Sequence, residues 1–225
     1  MAVKTQELKL DLGPNGPLSA ILTLPADARA CYVLAHGAGA DMRHSFMAKV
    51  AEGLAARDVA TFRFNFPYME KKQGRPDQPP VAHAAIRAAV EEAARLCPGL
   101  KLVAGGKSFG GRMTSQAQSK APLPGVRGLA FLGFPLHADG KPSAERAEHL
   151  AGIASPMLFL QGTRDKLADL GILRPVIEAL GPKATLHEIE GGDHSFAVLK
   201  KSGRSNDEAL AEVLDTLTAW IDALS

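Results

Sequence analysis

KLVAGGKSFGGRM, residues 101–113, runs from a short apolar segment through a serine bracketed by glycines into a stretch of helical character. Its centre, Gly106-Lys107-Ser108-Phe109-Gly110, is a G-x-S-x-G pattern set between a strand and a helix. A serine in so sharp a turn adopts strained backbone geometry, and its neighbours two residues away must be nearly free of side chain. The turn lifts the hydroxyl clear of the sheet and aims the next amides at a helix start, where a developing oxyanion is favoured. Two rival glycine motifs fail on inspection. A phosphate-binding P-loop needs a glycine where Lys101 stands, and the dinucleotide fingerprint begun by Gly37-Ala38-Gly39 has Met42 at its third glycine position.

Working outward, strands and helices alternate. Residues 5–11 and 18–24 read as a hairpin about the turn GPNGP, an antiparallel start to the sheet. RACYVL (29–34) is a buried strand that ends at His36-Gly37-Ala38-Gly39. Ser45 is a candidate N-cap for a helix over 46–57, and 59–66 is a strand with alternating phenylalanines. A proline-rich surface loop spans 67–80, and Pro79 or Pro80 opens a helix that Pro98-Gly99 stops. After the 101–105 strand and a helix from Phe109 to Ser119, strands are expected at 127–133, 156–161 and 184–190. Helices are expected near 143–151, at 169–180 and at 206–224, the last capped by Asn206 or Asp207. This alternation predicts an α/β fold, a mostly parallel twisted sheet with helices on both faces, in one domain spanning 1–225 without a separate lid. Segments 36–45, 106–112, 162–166 and 191–196 all follow strands, so they should meet at one rim.

A serine hydroxyl needs a base to take its proton, and the base needs an acid to fix its tautomer. Asp165, in QGTRD after one strand, and His194, in GGDHSF after another, supply both in the chain order Ser, Asp, His. Asp169 is the alternative acid, but LADLGIL places it at a helix start. His187 falls inside a strand and His83 inside a helix, and His36 is expected to pack beneath its loop.

With these motifs, HGAGADM at 36–42, GGKSFGG at 105–111, QGTRD at 161–165 and GGDHSF at 191–196, the chain resembles the α/β-hydrolase superfamily near its small, lidless, dienelactone-hydrolase-like branch. The resemblance covers nearly the whole chain. It implies Ser108 as nucleophile, Asp165 as acid, His194 as base, and oxyanion donors at the Ala38 and Phe109 amides. One departure matters: dienelactone hydrolases use cysteine where this chain has Ser108, so their particular reaction does not carry over. Gly37, Gly39, Arg63, Asn65, Lys107 and His137 are candidate substrate contacts.

Composition narrows the classes. The 225 residues are 46% hydrophobic and 22% charged, with a net charge of +2 from mixed basic and acidic residues, and no basic block interleaved with aromatics. Nucleic acid is therefore not an expected partner. No apolar leader and no run of membrane-spanning length is visible, so a cytoplasmic location is expected. His187-Glu188 begins like H-E-x-x-H but meets Gly191 at the second histidine position, so neither metal nor cofactor is expected. The two cysteines, Cys31 and Cys97, read as buried thiols. The expected activity is cleavage of carboxylic esters or thioesters of small molecules. A catalytically silent interaction module and a small-peptide peptidase are its rivals, the first because the superfamily includes subunits of chromatin complexes.

Overall fold

The computed structural model describes residues 2–225. Eight strands form one sheet. Strands β1 (Val3–Leu10) and β2 (Leu18–Pro25) form the antiparallel hairpin, and β2 lies antiparallel to β4 (Val59–Phe64). From β4 onward every pairing is parallel, through β3 (Ala30–Ala35), β5 (Lys101–Lys107), β6 (Val126–Leu132), β7 (Met157–Gly162) and β8 (Ala184–Ile189). The central strands are covered on both faces, which is why ACYVLA and MLFLQG are buried along their whole length.

Helices α1 (Ser45–Ala55) and α6 (Asn206–Ala223) cover one face. Their core includes Leu54, Val213 and Leu217 against Tyr32, Val103 and Leu158. Helices α3 (Pro79–Leu96), α4 (Phe109–Lys120) and α5 (Leu170–Leu180) cover the other, where Phe62, Phe131 and Phe159 meet Ile86, Met113 and Leu173. The segment between β6 and β7 holds a 3-10 helix at Glu145–Gly152 and no lid. Cys31 and Cys97 are buried and unbridged.

Element boundaries differ from the sequence reading where a cap or a proline decides them. Ser45 is already helical, and the His44 ring caps α1 by accepting the Phe46 N–H. Ser205, rather than Asn206 or Asp207, caps α6, exchanging hydrogen bonds with Glu208 in a capping box. β4 stops at Phe64 because the Phe66 N–H bonds the His36 ring and Pro67 opens the short helix α2 (Pro67–Glu70) inside the expected loop. Among the described residues no helix is long and apolar enough to cross a membrane.

Candidate active site

Parallel pairing brings the ends of β3, β5, β7 and β8 to one rim. Ser108 follows β5 at φ 50° and ψ −115°, left-handed backbone that a non-glycine residue rarely adopts. The turn closes only because its neighbours lack side chains. A Cβ on Gly106 would collide with the Ala35 carbonyl, and one on Gly110 would meet the same group. This is the steric demand that the G-x-S-x-G spacing encodes.

The 86-residue gap between Ser108 and His194 closes to hydrogen-bonding distance. His194 Nε2 lies 2.8 Å from Ser108 Oγ, and Nδ1 lies 2.6 Å from Asp165 Oδ2. The carboxylate fixes the tautomer: with Nδ1–H donating to Asp165, Nε2 is unprotonated and faces the Ser108 hydroxyl. The Asp165 side chain is fully buried, and its charge is compensated locally. Besides the imidazole it accepts Gln161 Nε2–H at 2.5 Å and the Leu167 N–H at 2.8 Å. Gln161 in turn accepts the Phe134 N–H at 2.9 Å. The one polar side chain in β7 therefore positions the acid, and its place in the otherwise apolar MLFLQG was the signal for it. Asp169 points elsewhere: it caps α5, Oδ1 accepting the Gly171 N–H at 2.7 Å.

A cavity of about 210 Å³ opens beside Ser108. Gly37, Ala38, Gly39 and Ala40 form one wall, Phe46 and Met47 the apolar end, and Lys107, Ser108, His194 and Ser195 the other side; His44 sits at its edge. Ala38 lines this space and Phe109 opens α4; neither residue's N–H is engaged by a protein acceptor among the described residues. Beneath the glycine loop His36 is fully buried. Its Nδ1–H donates to the Gly37 carbonyl at 2.9 Å, and its Nε2 accepts the Phe66 N–H. Burial pushes its pKa down to about 4, so the ring is a neutral strut, edge-on to Phe66.

Lys107, the residue before the serine, is buried, and its ammonium donates to the His194 carbonyl at 2.6 Å. Burial lowers its pKa to about 8, against the opposing pull of Asp165 and Asp193. Three of the other candidate contacts do not reach this cavity. His137 has both ring nitrogens engaged, Nδ1 at the Ala138 carbonyl and Nε2 at the Asp169 N–H. Asn65 braces the glycine-loop segment, accepting the Met42 N–H and donating to Glu70. Arg63 projects to the opposite side of β4 from Phe62 and Phe64, under α1. Phe46 and Met47 were invisible as wall residues because they read as ordinary helix positions. Among the described residues no cluster of His, Cys, Asp or Glu could hold a metal ion.

A family model described as "Alpha/beta hydrolase domain" matches residues 28–222. Among solved structures the chain is similar to a dienelactone hydrolase from Anabaena variabilis, at 19% identity and TM-score 0.77, with 100% of this chain and 99% of that one covered. It is also similar to a lidless α/β serine hydrolase from Xanthomonas campestris, at 21% identity and TM-score 0.74, covering 100% and 99%. A third is an α/β serine hydrolase homologue from Coxiella burnetii, at 20% identity and TM-score 0.74, covering 95% and 96%.

Proposed function

The chain belongs to the α/β hydrolase family, and from that premise we propose that it is a single-domain serine hydrolase of carboxylic esters or thioesters. The observation that carries the reading is the continuous relay from Asp165 through His194 to Ser108, at 2.6 and 2.8 Å. In this reading Ser108 Oγ bonds to the acyl carbon while its proton passes to His194 Nε2. The Ala38 and Phe109 amides hold the oxyanion that forms. As the carbonyl reforms, the bond to the leaving oxygen or sulfur breaks and that atom takes the proton from His194. Water then repeats the sequence on the acyl-enzyme, releasing the acid and restoring the serine. Asp165 stays ionised and stabilises the imidazolium. The small cavity with its apolar end at Phe46 and Met47 favours a short substrate arm, and the open rim favours water-soluble substrates over lipid interfaces.

A fluorophosphonate probe tests this directly. Covalent labelling confined to Ser108, lost in Ser108→Ala, together with turnover of p-nitrophenyl acetate, is the expected result. A folded protein that neither reacts with the probe nor cleaves the ester would instead be an interaction module.

A further inference from the structure

A cavity larger than the one at Ser108 lies elsewhere beside the sheet. A space of about 590 Å³ lies between α1 and the hairpin edge, lined by one face of α1 and by Val3, Thr5, Thr23 and Arg63. We propose that it is a binding site for a small aliphatic carboxylate, anchored on the Arg63 guanidinium.

Arg63 carries the argument. It retains only 7% of its accessible surface, yet no carboxylate lies in salt-bridge range of it among the described residues. Its protein partners are neutral oxygens: Nη1 donates to the Met42 carbonyl at 3.1 Å, and Nη2 reaches Thr23 Oγ1 at a marginal 3.5 Å. Its Nε is buried with no partner. Arginine does not shed its proton to escape such a position, so the uncompensated charge is a standing cost that an anion would offset. At the rim Lys107 gives its ammonium to the His194 carbonyl and Asp165 accepts from three donors, whereas the Arg63 guanidinium faces a cavity.

The lining specifies the rest of the ligand. Thr23 is buried beside the guanidinium and Thr5 pairs with it across the hairpin, so hydroxyl donors flank the charge. Away from them the wall is the small-residue face of α1, Ala48, Ala51 and Ala55, with the exposed Val3 at the rim. A short aliphatic chain fits that wall, and a carboxylate fits the guanidinium fork. The rim carries one opposing charge, Glu52, which is exposed and lies close enough to favour the charged form of Arg63 without bonding it. Arg43 opposes it.

The probe is hexanoate, titrated by calorimetry against the whole chain at constant ionic strength, with hexan-1-ol as the uncharged control and inorganic phosphate as a second anion. Saturable hexanoate binding that hexan-1-ol does not reproduce is expected. Arg63→Gln should weaken it by about ten-fold or more. Ala48→Leu, which fills the cavity from α1 and leaves the guanidinium in place, should do the same and covers the case in which Arg63→Gln fails to fold. Glu52→Gln should tighten binding by about two- to five-fold. Ser108→Ala should leave it unchanged, which separates this site from the cavity at the rim and makes the result independent of the proposed hydrolysis. Hexanoate binding that survives both Arg63→Gln and Ala48→Leu, or that disappears with changes at Ser108, would overturn the proposal. So would no binding at all, and phosphate binding stronger than hexanoate would replace the aliphatic carboxylate with a phosphate ligand.

Discussion

The strand-end rim and the hairpin edge bury charge in opposite ways. At the rim the Asp165 carboxylate is matched by three donors, the His36 ring is held neutral, and Lys107 sits with its pKa pulled towards neutrality. At the hairpin edge Arg63 is buried as deeply, its cation bonded only to neutral oxygens and its Nε without a partner among the described residues. A group that the fold satisfies internally can be held in one orientation for chemistry. One that the fold leaves unmatched points to something outside the chain.

The sharpest way to break the contrast is to remove the compensated anion. Asp165→Asn keeps the shape of the acid but reverses its demand on the imidazole, favouring the tautomer that cannot accept from Ser108. Turnover of p-nitrophenyl acetate should fall by about 10⁴-fold. A loss under about ten-fold would detach Asp165 from the relay.

The neutral member of the rim is tested through pH. His36 has its pKa lowered from 6.5 to about 4 by burial. Between those values the unfolded chain binds a proton that the folded chain refuses. Stability from this group is therefore complete above pH 6.5 and lost as pH falls towards 4, a span of about 3 kcal/mol. His149, also pushed down to about 4 by burial, adds to the same slope. Urea midpoints of the wild type and His36→Asn, compared at pH 4.5 and pH 7, should show a shallower acid dependence in the variant. Equal slopes would mean that the His36 ring is protonated in the folded protein.

Lys107 lies between the two extremes and separates stability from activity. Its pKa is lowered from 10.5 to about 8, so above pH 8 the folded chain releases a proton that the unfolded chain still holds. Stability should rise through that window rather than fall. The bond to the His194 carbonyl weakens as the ammonium is lost, so turnover should decline above about pH 8 in a protein that is not unfolding. Lys107→Met should lower kcat by about ten-fold and abolish that alkaline decline. An unaltered pH–rate profile would show that the ammonium does not position His194.

Much of this was legible in the sequence because it rests on spacing. The glycines about Ser108 answer a steric demand, and the segments after β5, β7 and β8 reach one rim because parallel strands end together. The family fold followed from the same alternation. What stayed hidden depends on the face a side chain takes and on what lies across from it. Arg63 was a candidate substrate contact because it lies near a strand end, yet it turns under α1, since Phe62 and Phe64 take the other face of β4. Asn65 and His137 were near the site in sequence but spend their polar atoms on backbone and Glu70. Gln161 gave a weaker signal, a lone polar residue in the otherwise apolar MLFLQG, and only the fold shows that it braces Asp165.

The smallest expected effect isolates burial from residue type. Asp169 lies four positions beyond Asp165 on the same connection and carries the same carboxylate, but it is exposed and its side chain bonds only the start of α5. Asp169→Ala should remove that cap and lower stability by about 1 kcal/mol, read as a shift in the urea midpoint, with turnover unchanged. A carboxylate in water has its charge solvated whether or not it finds a partner, so its loss costs one modest hydrogen bond. If Asp169→Ala instead cost as much activity as Asp165→Asn, the two aspartates would have to exchange roles. Burial would then no longer explain why one of them holds the histidine.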